Sequence, residues 1–155
     1  MVIRARSSRF GALVLAGLTL SACAQQCTTA SCDSSVLVDV KAVQGLGTPQ
    51  AGRVMICIGE GSDCALAEAV KGQDVVPVVI HAGALPSDPT ASPVLVRIKI
   101  MNPGKILVEA GITTTFTAVR PNGEGCAPVC YSVRMVATDR GVTVVPIGAT
   151  PSASG

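Results

Sequence analysis

The sequence predicts an all-β chain folded as an antiparallel β-sandwich, and three observations carry that reading. Apolar residues come in short β-branched runs separated by Gly, Pro, Asn and Asp, the spacing expected of strands and turns. One run, Val94-Leu95-Val96-Arg97-Ile98-Lys99-Ile100, alternates with period two. It sets Arg97 and Lys99 opposite Val94, Val96, Ile98 and Ile100, as a strand with one wet face does. In Asn102-Pro103-Gly104-Lys105, Pro holds φ at the second turn position and Gly supplies positive φ at the third, which joins neighbouring antiparallel strands. About seven to nine short strands at such spacing suit an immunoglobulin-like sandwich. There is no Trp, so the buried Trp of true immunoglobulin domains is missing and only the architecture is expected.

The strands follow in order over 36–40, 53–58, 75–80, 94–101, 106–110, 112–119, 131–138 and 142–145. Residues 65–71 (ALAEAVK) read as a further strand, with a short helix capped by Gly72 as the rival because Ala, Leu, Glu and Lys favour helix. Tyr131, Val133, Met135 and Ala137 share one face, with Ser132, Arg134 and Thr138 on the other. Thr114, Phe116 and Ala118 are expected to point inward. Asp139-Arg140-Gly141 is a three-residue hairpin candidate with Gly at the left-handed position. The 155-residue length suits one domain, and the sandwich is expected over 34–146.

Residues 1–22 are of another kind. Arg4, Arg6 and Arg9 precede an apolar stretch over 10–20 (FGALVLAGLTL), the layout of an export signal. Eleven residues are too few to span about 30 Å of hydrocarbon, which takes roughly 20. The stretch closes on Leu20-Ser21-Ala22-Cys23, which resembles the lipobox of bacterial lipoproteins. Ala5 separates Arg4 from Arg6, which argues against a twin-arginine signal.

That resemblance implies that 1–22 is a signal peptide removed on export. Cys23 becomes the lipidated N-terminus, 23–33 a tether, and the protein a lipid-anchored one on the extracytoplasmic face of the cell membrane. A thioether-linked diacylglyceryl group on Cys23 anchors stably, because two or more acyl chains hold where one is marginal. The alternative is an ordinary secretory signal cleaved after Ala22 or Ala24.

Setting Cys23 aside turns seven cysteines into six: Cys27, Cys32, Cys57, Cys64, Cys126 and Cys130. An even number in an oxidising compartment suggests disulfides. A hairpin with Gly59-Glu60-Gly61-Ser62 in its loop sets Cys57 opposite Cys64, close enough to bridge. Cys126 and Cys130 enclose Ala127-Pro128-Val129 and are expected to close a local loop; Cys27 and Cys32 then pair by elimination.

Several chemistries are disfavoured. Twelve Lys and Arg fall to nine once Arg4, Arg6 and Arg9 are removed, against ten Asp and Glu, a net charge of −1. Neither nucleic-acid binding nor a polybasic membrane patch fits that balance. The cysteines lack zinc-site spacing, and His81 is the only His, so no metal or other cofactor is expected. Met55, Met101 and Met135 are possible soft ligands for copper, but they sit in apolar runs and are expected to fill the core. His81 has no nucleophile or orienting partner at recognisable spacing. Glu60, Asp63 and Glu68 could form a carboxylate pair but read as solvated turn residues.

No catalytic residue is assigned and the chain is expected not to be an enzyme. The linker over 82–93 (AGALPSDPTASP) is the best-placed functional loop, and 147–155 reads as a flexible tail. The later Pro-Asn-Gly turn leading into Cys126-Ala127-Pro128-Val129-Cys130 resembles small uncharacterised lipoproteins of high-GC Gram-positive bacteria. The resemblance implies no activity. The expected role is a non-enzymatic envelope lipoprotein, a structural or protein-binding module with an envelope protein as partner and no small-molecule substrate. The alternatives are a metal or small-ligand binder and an exported hydrolase.

Overall fold

The computed structural model describes residues 27–46 and 51–147; the expected signal peptide over 1–22, Cys23 with its lipobox-like context and the expected tail beyond 147 lie outside them. Among the described residues nine strands make two facing sheets. The first contains β1 (Ser35–Ala42), β4 (Val75–Val79), β7 (Thr117–Val119), β8 (Cys130–Thr138) and β9 (Gly141–Val145). It runs β4-β1-β8, with β7 and β9 sharing the far side of β8. The second runs β3 (Cys64–Ala69), β2 (Gly52–Ile58), β5 (Val94–Asn102), β6 (Lys105–Thr114). Residues 64–69 are therefore strand, and the helical rival is not formed.

Alternation builds the core between the sheets. Val36, Val38, Val76, Val78 and Met135 from the first sheet meet Val54, Ile56, Val96, Ile98 and Ile100 from the second, and every one is almost fully buried. With β-branched residues carrying most of this layer, the core needs few aromatics: Phe116 is buried and Tyr131 packs against the cluster half-exposed. Contacts of about this kind stabilise by roughly 1.5–3 kcal/mol per fully buried Val or Ile side chain.

Four expectations are corrected. The sandwich is mixed, because β1 and β8 pair in parallel, Ser35 opposite Ser132 and Val38 opposite Met135. Nearly a hundred residues separate these strands, so no hairpin dictates their relative direction. Second, the expected break at Gly111 is absent: Gly111 pairs with Arg97 inside β6. The chain leaves the second sheet at Thr115-Phe116 instead, where the Phe116 N–H donates to the Pro89 carbonyl at 2.9 Å and the ring enters the core.

Third, of the three methionines only Met135 is a core residue. Met55 and Met101 fall on the outer face of the second sheet, because the inward positions of β2 and β5 are Val54, Ile56, Ile98 and Ile100. Fourth, Ser132 is buried although it stands opposite the core face. β8 is flanked on both sides, and the Ser132 hydroxyl lies 3.3 Å from that of Ser35 on the neighbouring strand. The turn at 102–105 forms as expected, with Asn102 opposite Lys105 and Gly104 at φ 78°. At the β8–β9 hairpin, Gly141 is already the first strand residue, opposite Thr138.

The strand registers divide the molecule into two ends. The connections 70–74, 103–104 and 139–140, with residues 43–46 after β1, lie at one, the turn end. The 27–34 lead-in and the connections 59–63, 80–93 and 120–129 lie at the other, the loop end.

Candidate functional site

The loop end is organised by a strap. Residues 27–34 precede β1 and lie against the 120–129 connection, held by two bridges, Cys27–Cys126 and Cys32–Cys130, with Cα–Cα distances of 5.6 and 6.0 Å. This corrects the expected local pairs Cys27–Cys32 and Cys126–Cys130. The two segments run alongside each other, so each cysteine meets one on the opposite segment rather than its own neighbour. Cys57 and Cys64 do pair, opposed in the β2–β3 register at 4.1 Å between Cα atoms. All six cysteines among the described residues are thus bridged.

Between the two long-range bridges sits Asn122, 5 % exposed. Its Oδ1 accepts from the Ala30 N–H at 2.9 Å and from the Thr28 hydroxyl; its Nδ2 donates to the Ala30 carbonyl at 2.9 Å and to the Ala127 carbonyl at 2.6 Å. One side-chain amide thereby does what a neighbouring strand would do for Ala30, satisfying both of its backbone groups. Farther along, the Ser34 hydroxyl accepts from the Tyr131 N–H at 3.0 Å and the Ile80 N–H donates to the Ser34 carbonyl at 2.8 Å. The strap is welded to both neighbours of β1.

Beside it, at the edge where β3 and β4 approach, opens a cleft of about 560 Å³. Ile56, Ile58, Ile80 and Ala84 make its apolar lining, and Ser62, Asp63 and His81 its polar lining. The structure therefore brings the hydroxyl and carboxylate of the adjacent Ser62 and Asp63 to the same cleft as the imidazole of His81, 18 positions later. All three are exposed, and among the described residues no hydrogen bond or ion pair links them. A nucleophile needs its base within hydrogen-bond reach and that base an orienting partner; neither contact is formed here. Glu60 and Glu68, the other imagined carboxylates, do not line the cleft.

The 82–93 linker forms one wall, opening with a single 3₁₀ turn at Ala82–Ala84. Asp88 orders its far half: its carboxylate accepts from the Thr90 hydroxyl at 2.6 Å and from the Thr90 and Ala91 N–H groups at 3.1 and 3.3 Å. These bonds, the Thr90 hydroxyl foremost, hold the Asp88 carboxyl below its ordinary value of 3.8. Such a loop is a built turn rather than a slack linker.

A second hollow, about 350 Å³, lies on the outer face of the second sheet over Gly111, lined by Met55, Cys57, Arg97, Lys99 and Glu109. Lys99 and Glu109 pair at 2.9 Å across β5 and β6, and Arg97 donates to the Gly61 carbonyl at 2.5 Å. Its charges are thus engaged with the sheet and its turn. No group of three or more His, Cys, Asp or Glu among the described residues is placed to hold a metal ion.

Comparison with protein-family models, with curated protein sequences and with solved structures yields no match. The function must therefore be argued from the strap, the cleft and the charge distribution. Sequence reasoning missed Asn122, whose signal is faint: an Asn within Pro-Asn-Gly reads as a turn residue and nothing local marks its amide as a clamp. It also missed the ion pair of Arg134 with Asp39 at 3.5 Å, formed across the parallel β1–β8 contact that the pattern could not reveal.

Proposed function

We propose that this is an exported lipoprotein, anchored to the cell membrane through acyl chains on Cys23, whose sandwich serves as a non-enzymatic structural or protein-binding module. The observation that carries the reading is the complete bridging of Cys27, Cys32, Cys57, Cys64, Cys126 and Cys130. Disulfides of this density persist in oxidising compartments, which agrees with a signal peptide over 1–22. They also leave Cys23 as the cysteine without a bridging role, in accord with its place in Leu20-Ser21-Ala22-Cys23.

A binding role is supported over catalysis by the cleft, where Ser62, Asp63 and His81 stand exposed and unlinked. The rigid, closely tied sandwich is suited to presenting surface rather than to moving. The alternative of a metal held by thiolates loses its ligands to the three bridges, and Met135 is enclosed in the core.

The test is metabolic labelling with a palmitate analogue in a bacterial host with a lipoprotein-processing pathway. The wild-type chain is expected to carry label and to partition with membranes. Cys23→Ala is expected to lose the label and appear in the medium. An unlabelled wild type, or a Cys23→Ala variant that remains membrane-bound, overturns the anchor.

A further inference from the structure

We propose that the strap sets the orientation of the sandwich on its membrane: the loop end is held at the bilayer surface, and the turn end is the surface presented outward. This deepens the lipid-anchor reading and rests on it. The argument is one of reach. If residues 24–33 were a free tether, ten residues at about 3.5 Å each would allow roughly 35 Å between the lipid and the sandwich. The Cys27–Cys126 bridge ends the free chain at Cys27. Three residues, and so four Cα–Cα steps, separate it from Cys23, so the reach is at most about 14 Å.

The sandwich is longer than that. Its nine-residue strand β5 spans about 30 Å at 3.4 Å per residue. An inverted molecule, with its turn end down, would carry Cys27 some 30 Å from the bilayer. A 35 Å tether permits that; a 14 Å one forbids it. The molecule can tilt about the anchor but cannot turn over.

One bridge alone would leave Cys27 on a swivel. Here Cys32–Cys130, the Asn122 amide and the Ser34 contacts fix the same segment within the next seven residues. The anchor point is therefore rigid with respect to the sheets.

The two ends also differ in charge, which the near-neutral total conceals. The loop end carries Asp33, Glu60, Asp63, Asp88 and Glu124 against Arg97 and Arg120, and the turn end Lys41, Arg53, Lys71, Lys105 and Arg140 against Glu68, Asp74 and Asp139. The remaining charges pair as Asp39–Arg134 and Lys99–Glu109. A net charge of −3 thus sits near the lipid and +2 away from it, the sum matching the −1 of residues 24–155. What a partner in the envelope meets first is the cationic end, while the cleft beside His81 opens close to the bilayer.

The experiment uses the full lipidated protein in phosphatidylcholine vesicles that contain a headgroup nitroxide lipid. A fluorophore is introduced as an unnatural amino acid at Ser87 (loop end) or at Lys105 (turn end), both exposed, leaving the disulfides untouched. Quenching is expected to be several-fold stronger at position 87. A twenty-residue Gly-Ser insertion between Ala24 and Gln25 keeps the strap and the fold intact, and is expected to bring the two positions toward equal quenching. Vesicle-bound protein quenched equally at both positions, or more at 105, overturns the orientation and leaves the anchor standing. Protein that fails to float with the vesicles overturns the anchor and the orientation together.

Discussion

The side-chain amide of Asn122 pairs with both backbone groups of Ala30, 92 positions away in the chain. Buried as it is, it closes the gap between the two bridges of the strap and leaves neither group of Ala30 unsatisfied. Replacing Asn122 with Ala removes two donors' acceptor and two acceptors' donor while the bridges stay closed. The expected loss is about 1–3 kcal/mol, read as a lower urea midpoint with unchanged slope under non-reducing conditions. Asn122→Asp retains the acceptor but turns a carboxylate toward the Ala30 and Ala127 carbonyls. It is expected to be at least as destabilised at neutral pH and to recover in part on acidification, when the protonated group can donate again. Equal stability of wild type and both variants would show that the bridges alone hold the strap.

The two long bridges should be worth more together than the sum of their single losses. Cys57–Cys64 spans 7 positions, whereas Cys27–Cys126 and Cys32–Cys130 span 99 and 98. In the chain-entropy model a loop of roughly 100 residues is worth about 4.7 kcal/mol and one of under ten about 2–3. Once either long bridge is closed, the other closes only a small ring of roughly ten residues. Removing either one by paired Cys→Ser substitution is therefore expected to cost about 3 kcal/mol, and removing both about 7–8. Denaturant titration of the three variants checks this, and a double loss no larger than the sum of the two single losses would contradict it. Non-reducing peptide mapping checks the pairing itself: a fragment linking Cys27 to Cys126 is expected, and one linking Cys27 to Cys32 would refute the strap.

What could be read in advance was what local pattern encodes. The alternation from Val94 to Ile100, the Pro103-Gly104 turn and the register that opposes Cys57 to Cys64 each depend on residues within a few positions of one another, and all are realised. Elimination failed for Cys27 and Cys32 because it preferred the nearest partner in sequence, whereas their partners arrive through a parallel contact between the first long strand and the last. The same contact buries Ser132 and Asp39, which alternation had no means to foresee. Of the candidate site, His81 and the 82–93 linker could be singled out by position. That the turn carrying Ser62 and Asp63 shares a cleft with His81 depends on how two sheet edges meet.

Asp88 offers a pH test. Its folded carboxyl titrates below the ordinary value because the Thr90 hydroxyl and two amides favour the charged form. A depressed folded pKa contributes order above the unfolded value and loses it as pH falls through the folded one. Slower exchange of the Thr90 and Ala91 amides in wild type than in Asp88→Ala is therefore expected near neutrality. The difference should vanish below the carboxyl's titration. The side chain is fully solvated, so the readout is local exchange rather than global stability. A ratio independent of pH would assign the turn to backbone geometry alone.

The pair Asp39–Arg134 allows a sharper separation of causes. Asp39 is buried on the flank of β1 and has one other bond, from the Lys41 N–H at 3.2 Å. Arg134 is about a quarter exposed and buries an Nε with no partner. Arg134→Met leaves a buried carboxylate nearly alone, a change that costs about 3–5 kcal/mol for a fully enclosed pair and about 2 kcal/mol here, where water still reaches the guanidinium. Asp39→Asn is expected to cost less, because Arg134 can turn to solvent. The double variant removes the lone charge and the orphaned Nε together, so it should be more stable than Arg134→Met alone. A double-mutant cycle by urea unfolding measures the coupling. Coupling of 1–2 kcal/mol is expected; strict additivity would mean that the two charges meet in space without stabilising the β1–β8 contact.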